Sequence, residues 1–395
     1  MAKTLTSVRS ALLKTMATPP KQIQVAKTLD VEAVEQALAE LWQETSGEPD
    51  EPEVVVLRAR AANLMVFLAN EAALPQTQQT IRELAGVHPC RAFVMLADRE
   101  GPPVDIEMFV SASSQLEGRS KKPELCCEEV TLVARGHFSS ELPSAVTPLL
   151  VPDLPIFLWW QDLRRLNDDT FRPLSLAAER LVIDSVDLAA MNLSLEAVER
   201  LFSRKTKEVL AVSDINWARL TSWRALLANF YDVSEYRPAL EDLERVTIEY
   251  VAPESDANGI AVQALLIAGW LASRLQWNLS SDTSADNTHI FLARRQDGSE
   301  ITLELKRLER PAIKPGRLAK IELLAKREEA SFVVKRADNG LHLETQATVE
   351  GRLCPGSTLP VRNRTTAQLL AREMEILVND ITYEAAVRVA ASMGQ

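Results

Sequence analysis

Glycine is scarce in this chain, at 13 of 395 residues, and no two glycines are separated by a single residue. Without a Gly-x-Gly step there is no backbone that can approach a dinucleotide pyrophosphate in the usual way. A Gly-Lys-Ser/Thr phosphate loop, a His-Glu-x-x-His pair and a Gly-x-Ser-x-Gly elbow are missing as well. The four histidines are His88, His137, His289 and His342, and none has a partner at ligand spacing. Cysteine is equally sparse: Cys90, Cys126, Cys127 and Cys354 make neither a zinc pattern nor a Cys-x-x-Cys. So few thiols do not make a secreted disulfide framework, and a reducing cytoplasm is expected. Lysine and arginine are outnumbered 44 to 55, for a net charge of −11. That argues against nucleic acid as a partner, because phosphate binding needs a basic face. Long apolar runs are absent too. Residues 260–271 are the most apolar, yet they contain Gln263 and fall well short of the ~20 residues of a membrane span. The first 20 residues hold no uninterrupted apolar core of a signal peptide. No metal and no cofactor is expected.

What is present is an ordinary globular balance, 46 % apolar and 25 % charged, over a length that calls for two domains. Asp30 can cap a helix in which Val31, Val34, Leu38 and Leu41 recur at helical spacing. Residues 46–52 read as a loop. Strand-like runs then alternate with helices. Strands are expected at 54–57 (continued through 64–68), 92–97, 104–111, 129–134, 156–160, 180–184 and 209–212. Helices are expected at 76–85, 195–202 and 214–232. Interleaved strands and helices imply a largely parallel sheet covered on both faces.

Beyond residue 243 the pattern changes. After a strand at 246–251 and a helix at 257–277 come strands at 289–294, 299–307, 317–326, 331–336 and 341–348. They are separated by turn signals at Asp297-Gly298, Pro315-Gly316 and Asn339-Gly340. Two helices, 366–378 and 381–391, close the chain, the first with a capping box from Thr365 to Gln368. The expected fold is therefore an α/β N-terminal domain, mostly parallel sheet with flanking helices, followed by an α+β C-terminal domain built on an antiparallel meander. The boundaries are 1–50 for an N-terminal helical extension, 51–238 for the α/β domain and 239–395 for the α+β domain. The acidic pairs Glu128-Glu129 and Asp168-Asp169 are expected to be solvated charge.

Two segments stand out. In the run from Leu149 to Trp160, Pro152 and Pro155 stiffen the approach to a strand that ends in two indoles. Trp159 and Trp160 then point to opposite faces. In the run from Asp214 to Arg224, Trp217 and Trp223 lie too far apart to share one narrow helical face, and Arg219 and Arg224 sit beside them. Tryptophan and arginine dominate interface hot spots. An exposed subset of Trp159, Trp160, Trp217, Arg219, Trp223 and Arg224 is thus the candidate partner-binding set; packing inside the protein is the other reading. The basic segments 119–122 and 204–207 could steer an acidic partner.

Four segments, VPDLPIFLWW, ERLVIDSVD, DINWARLTSWRALLANFYD and IAVQALLIAGWLASRLQW, resemble the OpcA family in wording and in order. The resemblance covers about residues 50–380. It implies a non-catalytic partner of glucose-6-phosphate dehydrogenase that promotes the dehydrogenase's active oligomer and supports the oxidative pentose phosphate pathway. In cyanobacteria it also implies a link to thioredoxin. Cys90, Cys126, Cys127 and Cys354 are the redox candidates, but no cysteine follows Cys354, where some cyanobacterial members carry a pair. Cys126 and Cys127 are neighbours and are expected as two thiols. Cys90 and Cys354 could pair only with Cα atoms within about 7 Å. Two further readings stay open: an enzyme or sensor for a sugar phosphate or nucleotide in the α/β domain, and a general chaperone.

Overall fold

The computed structural model describes residues 22–25, 31–45, 61–114, 126–202, 210–285, 287–326, 329–361, 364–376 and 378–393. Contacts divide the chain into two compact units, each gathered from separate segments. The first comprises residues 1–183, 207–213 and 365–378, and the second comprises residues 184–206, 214–364 and 379–395. Among the described residues no helix is long and apolar enough to cross a membrane. The expected strand at 54–57 and the basic segments 119–122 and 204–207 lie outside the described residues.

The first unit is built on strands β1 (Gln22–Val25), β2 (Asn63–Leu68), β3 (Arg91–Asp98), β4 (Val104–Ser114), β5 (Cys126–Arg135), β6 (Ile156–Trp160) and β7 (Arg180–Ile183), with β8 (Ala211–Asp214) ending at its margin. Their order is β1-β4-β5-β3-β2-β6-β7-β8. The centre of the sheet is parallel, from β5 through β3, β2 and β6 to β7. β4 joins β5 antiparallel and β1 joins β4 antiparallel. Every residue of β2 is buried, as a sheet covered on both faces requires. The helices of this unit are α1 (Val31–Thr45), α2 (Leu74–Ala85), α3 (Leu142–Val146) and α4 (Phe171–Ala177). The expected N-terminal helical extension is thus more than a helix, since β1 enters the sheet and α1 packs on β4.

The VPDLP segment owes its path to Asn63. Its buried side-chain amide donates to the Val151 carbonyl at 2.9 Å and its oxygen accepts from the Val151 amide at 2.9 Å. The acidic pair Glu128-Glu129 is not solvated. Successive strand residues face opposite ways, so Glu128 meets buried Arg91 at 2.7 Å while Glu129 accepts from Gln78 at 2.6 Å. Burial raises the Glu129 carboxyl above its usual range. Asp168 is likewise engaged, with Arg99 at 2.5 Å and Arg165 at 3.6 Å.

The second unit carries helices α5 (Leu195–Phe202), α6 (Ile215–Arg219), α7 (Thr221–Phe230), α8 (Pro238–Glu241) and α9 (Val262–Arg274). Its sheet is made of β9 (Leu243–Val251), β10 (Asn278–Ala285), β11 (Thr288–Arg294), β12 (Glu300–Leu308), β13 (Leu318–Ala325), β14 (Ser331–Arg336), β15 (His342–Val349), β16 (Arg352–Cys354) and β17 (Thr358–Pro360). The order is β10-β11-β12-β9-β13-β14-β15-β16, with β17 also on β15. All pairs are antiparallel except β12 with β9. The chain closes with α10 (Thr366–Glu375), which belongs to the first unit, and α11 (Ile381–Met393), which belongs to the second. Thr365 and Gln368 form the expected capping box on α10.

The register lines up one buried row across the second sheet: Phe291, Leu303, Val246, Leu323, Phe332 and Ala347. Helix α9 lies on β9, and Phe230 and Tyr231 at the end of α7 pack their rings on Phe332 at 5.3 Å. Helices α9 and α11 approach at Gly269, where an added Cβ would stand 2.2 Å from the Ala386 carbonyl. The units do not part at the linear boundary expected near 238. Residues 214–232 pack with the second unit through those aromatic contacts, and residues 365–378 return to the first because α10 packs on α2. The expected helix over 214–232 is two helices broken at Leu220, and β10 was not expected at all. The polar sequence of β10 favours a loop, and only its pairing with β11 makes it a strand.

Candidate functional site

Three of the four segments singled out in the sequence meet in one buried polar cluster of the second unit. Asp184 follows β7 directly and starts the turn Ser185–Asp187. Asp214 ends β8 and caps α6, accepting from the Asn216 amide at 2.8 Å. Gln263 projects from α9, which is otherwise almost wholly apolar. Tyr383 comes from α11, and Arg317 immediately precedes β13.

Asp214 is the hub. One carboxylate oxygen accepts from the amides of Ser185 at 3.0 Å and Asn216 at 2.8 Å. The other accepts from the Ser185 hydroxyl at 2.5 Å and the Tyr383 hydroxyl at 2.9 Å. Asn216 donates in turn to the Ser185 Oγ at 3.3 Å. Its own oxygen accepts from Gln263 at 2.9 Å and from Arg317 at 3.4 Å. The Gln263 oxygen accepts from the Leu318 amide at 3.3 Å, so the network ties the start of β13 to α6, α9 and α11.

A ring of charge surrounds this hub. Arg219 donates its fork to both oxygens of Asp184, at 2.7 and 2.8 Å. Burial, reinforced by the Asp184 charge, raises the Asp214 carboxyl to about 6. Burial and Asp184 also raise Asp187. Arg317 falls to about 10, because it is buried and sits near the Arg219 cation. Burial beside Asp214 pushes the Tyr383 phenol upward. Asp214 is buried and each of its oxygens takes two donors from the protein itself, so it is engaged internally rather than turned toward a ligand. No histidine is among its hydrogen-bond partners, and no group that could hold a metal occurs among the described residues. The arrangement orients segments rather than presenting a base.

The candidate partner-binding residues are placed differently from an exposed set. Trp159, Trp160, Trp217 and Trp223 are all buried. Trp160 stacks on Phe67 with centroids 3.8 Å apart and meets Phe171 edge-on, while its indole N–H donates to the Asp162 carbonyl at 2.7 Å. The Trp217 indole N–H donates to Asp380 at 2.8 Å, its ring lies 5.5 Å from Tyr383, and the Arg224 guanidinium covers it at 3.3 Å. Arg336 lies 5.9 Å from the Trp223 ring. The reason is packing: a large indole gains most when its ring is covered and its one N–H is satisfied. Of the six, Arg219 and Arg224 keep partial exposure.

Cys90 is buried, Cys354 is half-buried, and neither is in a disulfide. The side chains of Cys126 and Cys127 lie outside the described residues. Sequence reasoning missed Asp184, Ser185, Asp214, Asn216, Gln263, Arg317 and Tyr383. The available signal was polar residues set in strongly apolar surroundings, Gln263 above all.

Fold and cluster together define a protein of two units, one α/β and one α+β, with an internal polar tie in the second. Residues 81–200 match the family model described as the glucose-6-phosphate dehydrogenase subunit N-terminal domain, and residues 210–387 match the model for that subunit's C-terminal domain. The chain belongs to the OpcA family. It is 33 % identical over 195 residues to an OxPP cycle protein, OpcA, of Nostoc punctiforme, a stretch covering 49 % of this chain and 40 % of that relative. It is 24 % identical over 375 residues to the like-named protein of Synechococcus elongatus, covering 91 % of this chain and 80 % of the relative. The aligned stretch thus spans about two fifths of the Nostoc protein's length. Among solved structures, a levoglucosan dehydrogenase with NADH and L-sorbose aligns at TM-score 0.48 and 10 % identity, covering 85 % of this chain and 95 % of that one.

Proposed function

We propose that this chain is a non-catalytic partner of glucose-6-phosphate dehydrogenase, acting in the cytoplasm to promote that enzyme's active oligomer and raise its turnover in the oxidative pentose phosphate pathway. The observation that carries the reading is that both halves of the chain match domains described as belonging to a subunit of that dehydrogenase. The polar cluster supports it, because its hub carboxylate is saturated with donors and serves to position segments.

An activator works only by binding the active form of its target better than the inactive one. A tenfold shift needs about 1.4 kcal/mol of differential binding. Buried Trp217 acts in this reading from beneath, holding Arg224 in place, while Asp184 holds Arg219. Redox control, where it operates, has Cys354 as the more accessible of the two thiols described, while Cys90 is sealed.

The test is to mix the purified chain with its cognate dehydrogenase and read native mass and turnover together. A mixed complex with raised turnover is expected, and Trp217→Ala, checked by circular dichroism, should weaken both. An unchanged dehydrogenase mass and rate overturns the proposal. So does turnover of a sugar phosphate or nucleotide by the chain alone, which is what the enzyme reading requires.

A further inference from the structure

The second unit's sheet buries one face, and the register places a different set of side chains on the other. Its rows run Leu292, Thr302, Arg245, Leu324, Ser331 and Thr348; then Ile290, Glu304, Thr247, Glu322, Val333 and Gln346. A further row holds Lys306, Glu249, Lys320, Lys335 and Glu344. Most of these residues are partly or fully accessible to solvent, in contrast to the fully covered row between them. Charges of the two signs interleave across the face. Arg245 pairs with Glu304 at 3.5 Å, Lys320 with Glu322 at 2.7 Å, Lys335 with Glu344 at 3.5 Å and Arg294 with Glu300 at 3.0 Å. Lys306 stands opposite Glu249 in the register.

We infer that this face is where a second copy of the chain packs, sheet against sheet. Three observations select that occupant. A mosaic of alternating sign is complementary to itself, whereas a partner of one dominant sign would need a face of the opposite sign. The chain as a whole carries −11, so two copies repel over most of their surfaces and repel least across a patch whose charges cancel. The size is also sufficient. Six strands at ~4.8 Å spacing and roughly seven residues of length give a face on the order of 600 Å² per copy, close to the ~800 Å² that a standard interface buries on each side. Uncharged Thr247, Thr302 and Leu324 lie among the charges and supply the area that becomes dry.

Sedimentation equilibrium of the full chain alone, from about 1 to about 100 μM, tests this. A dimer is expected. Thr247→Arg and, separately, Leu324→Asp put an unmatched charge into the face and should raise the dissociation constant at least tenfold, with circular dichroism unchanged. A wild-type chain that stays monomeric throughout overturns the inference, as does a dimer unaffected by both folded variants. A monomer whose two variants instead lose a dehydrogenase contact also overturns it, and gives the face to a heterologous partner. Since the experiment contains no dehydrogenase until that last arm, its failure leaves the proposed function standing.

Discussion

The two sheets of this protein use their strands in opposite ways. In the first unit β2 is buried from end to end, and β3, β6 and β7 are buried over nearly all of their length. In the second unit β12 and β13 alternate, with Ile301, Leu303 and Leu305 covered while Thr302, Glu304 and Lys306 face outward. A parallel sheet must be clothed on both sides by its crossovers, whereas an antiparallel one can leave a face open. The first unit therefore spends its strands on core. The second has strand surface to offer, and it also holds the polar cluster around Asp214. In the reading proposed above, the first unit is scaffold and the second makes the contacts.

Substitutions can break or sharpen that contrast. Trp160→Ala should have the largest effect. It removes a fully buried indole from between Phe67 and Phe171 and should cost about 4 kcal/mol in a denaturant titration. A cost near zero would mean that the first sheet is not packed on both faces.

The next effect depends on pH. Asp214 titrates at about 6 in the folded protein against 3.8 as a free carboxyl, so the folded state holds its proton more tightly. Its contribution to stability is complete below about pH 4 and is lost as pH rises through about 6, a swing of about 3 kcal/mol. Denaturation midpoints measured from pH 4 to pH 7 should show Asp214→Asn losing that slope. An identical slope in variant and wild type would remove Asp214 as its source.

A smaller contrast lies within β12 itself. Leu303→Ala should cost about 2.5 kcal/mol, and its outward neighbour Thr302→Ala less than about 0.5 kcal/mol at concentrations where the chain is monomeric. Equal costs would show that both faces of this sheet are buried.

Much of the architecture was legible because it rests on short-range pattern. The run at Ile156–Trp160, the helix at Ile381–Met393 and the strands β11 to β15 follow from apolar period and turn residues. What escaped depends on partners remote in sequence. Strand β10 exists because β11 pairs with it, and the separation of α6 from α7 shows only at Leu220. The site was legible by address and not by role. Three of the four quoted segments do converge, but it is their carboxylates and amides that meet, while the conspicuous indoles turn inward. Residue type identifies tryptophan as a strong anchor without saying whether the anchor holds a partner or the protein's own interior.

By itself, then, the order of residues determined the α/β-then-α+β grammar, the lack of a glycine phosphate loop and the family resemblance, because each is written in near neighbours or in composition. Folding alone decided that residues 365–378 belong with the first unit and 184–206 with the second, and that Ser185, Asn216, Gln263 and Tyr383 join one network with Asp214. Those outcomes turn on which buried polar groups can satisfy one another across up to 169 positions of chain. An unpaired buried carboxylate is costly, and Asp214 gains its four donors only in the folded arrangement.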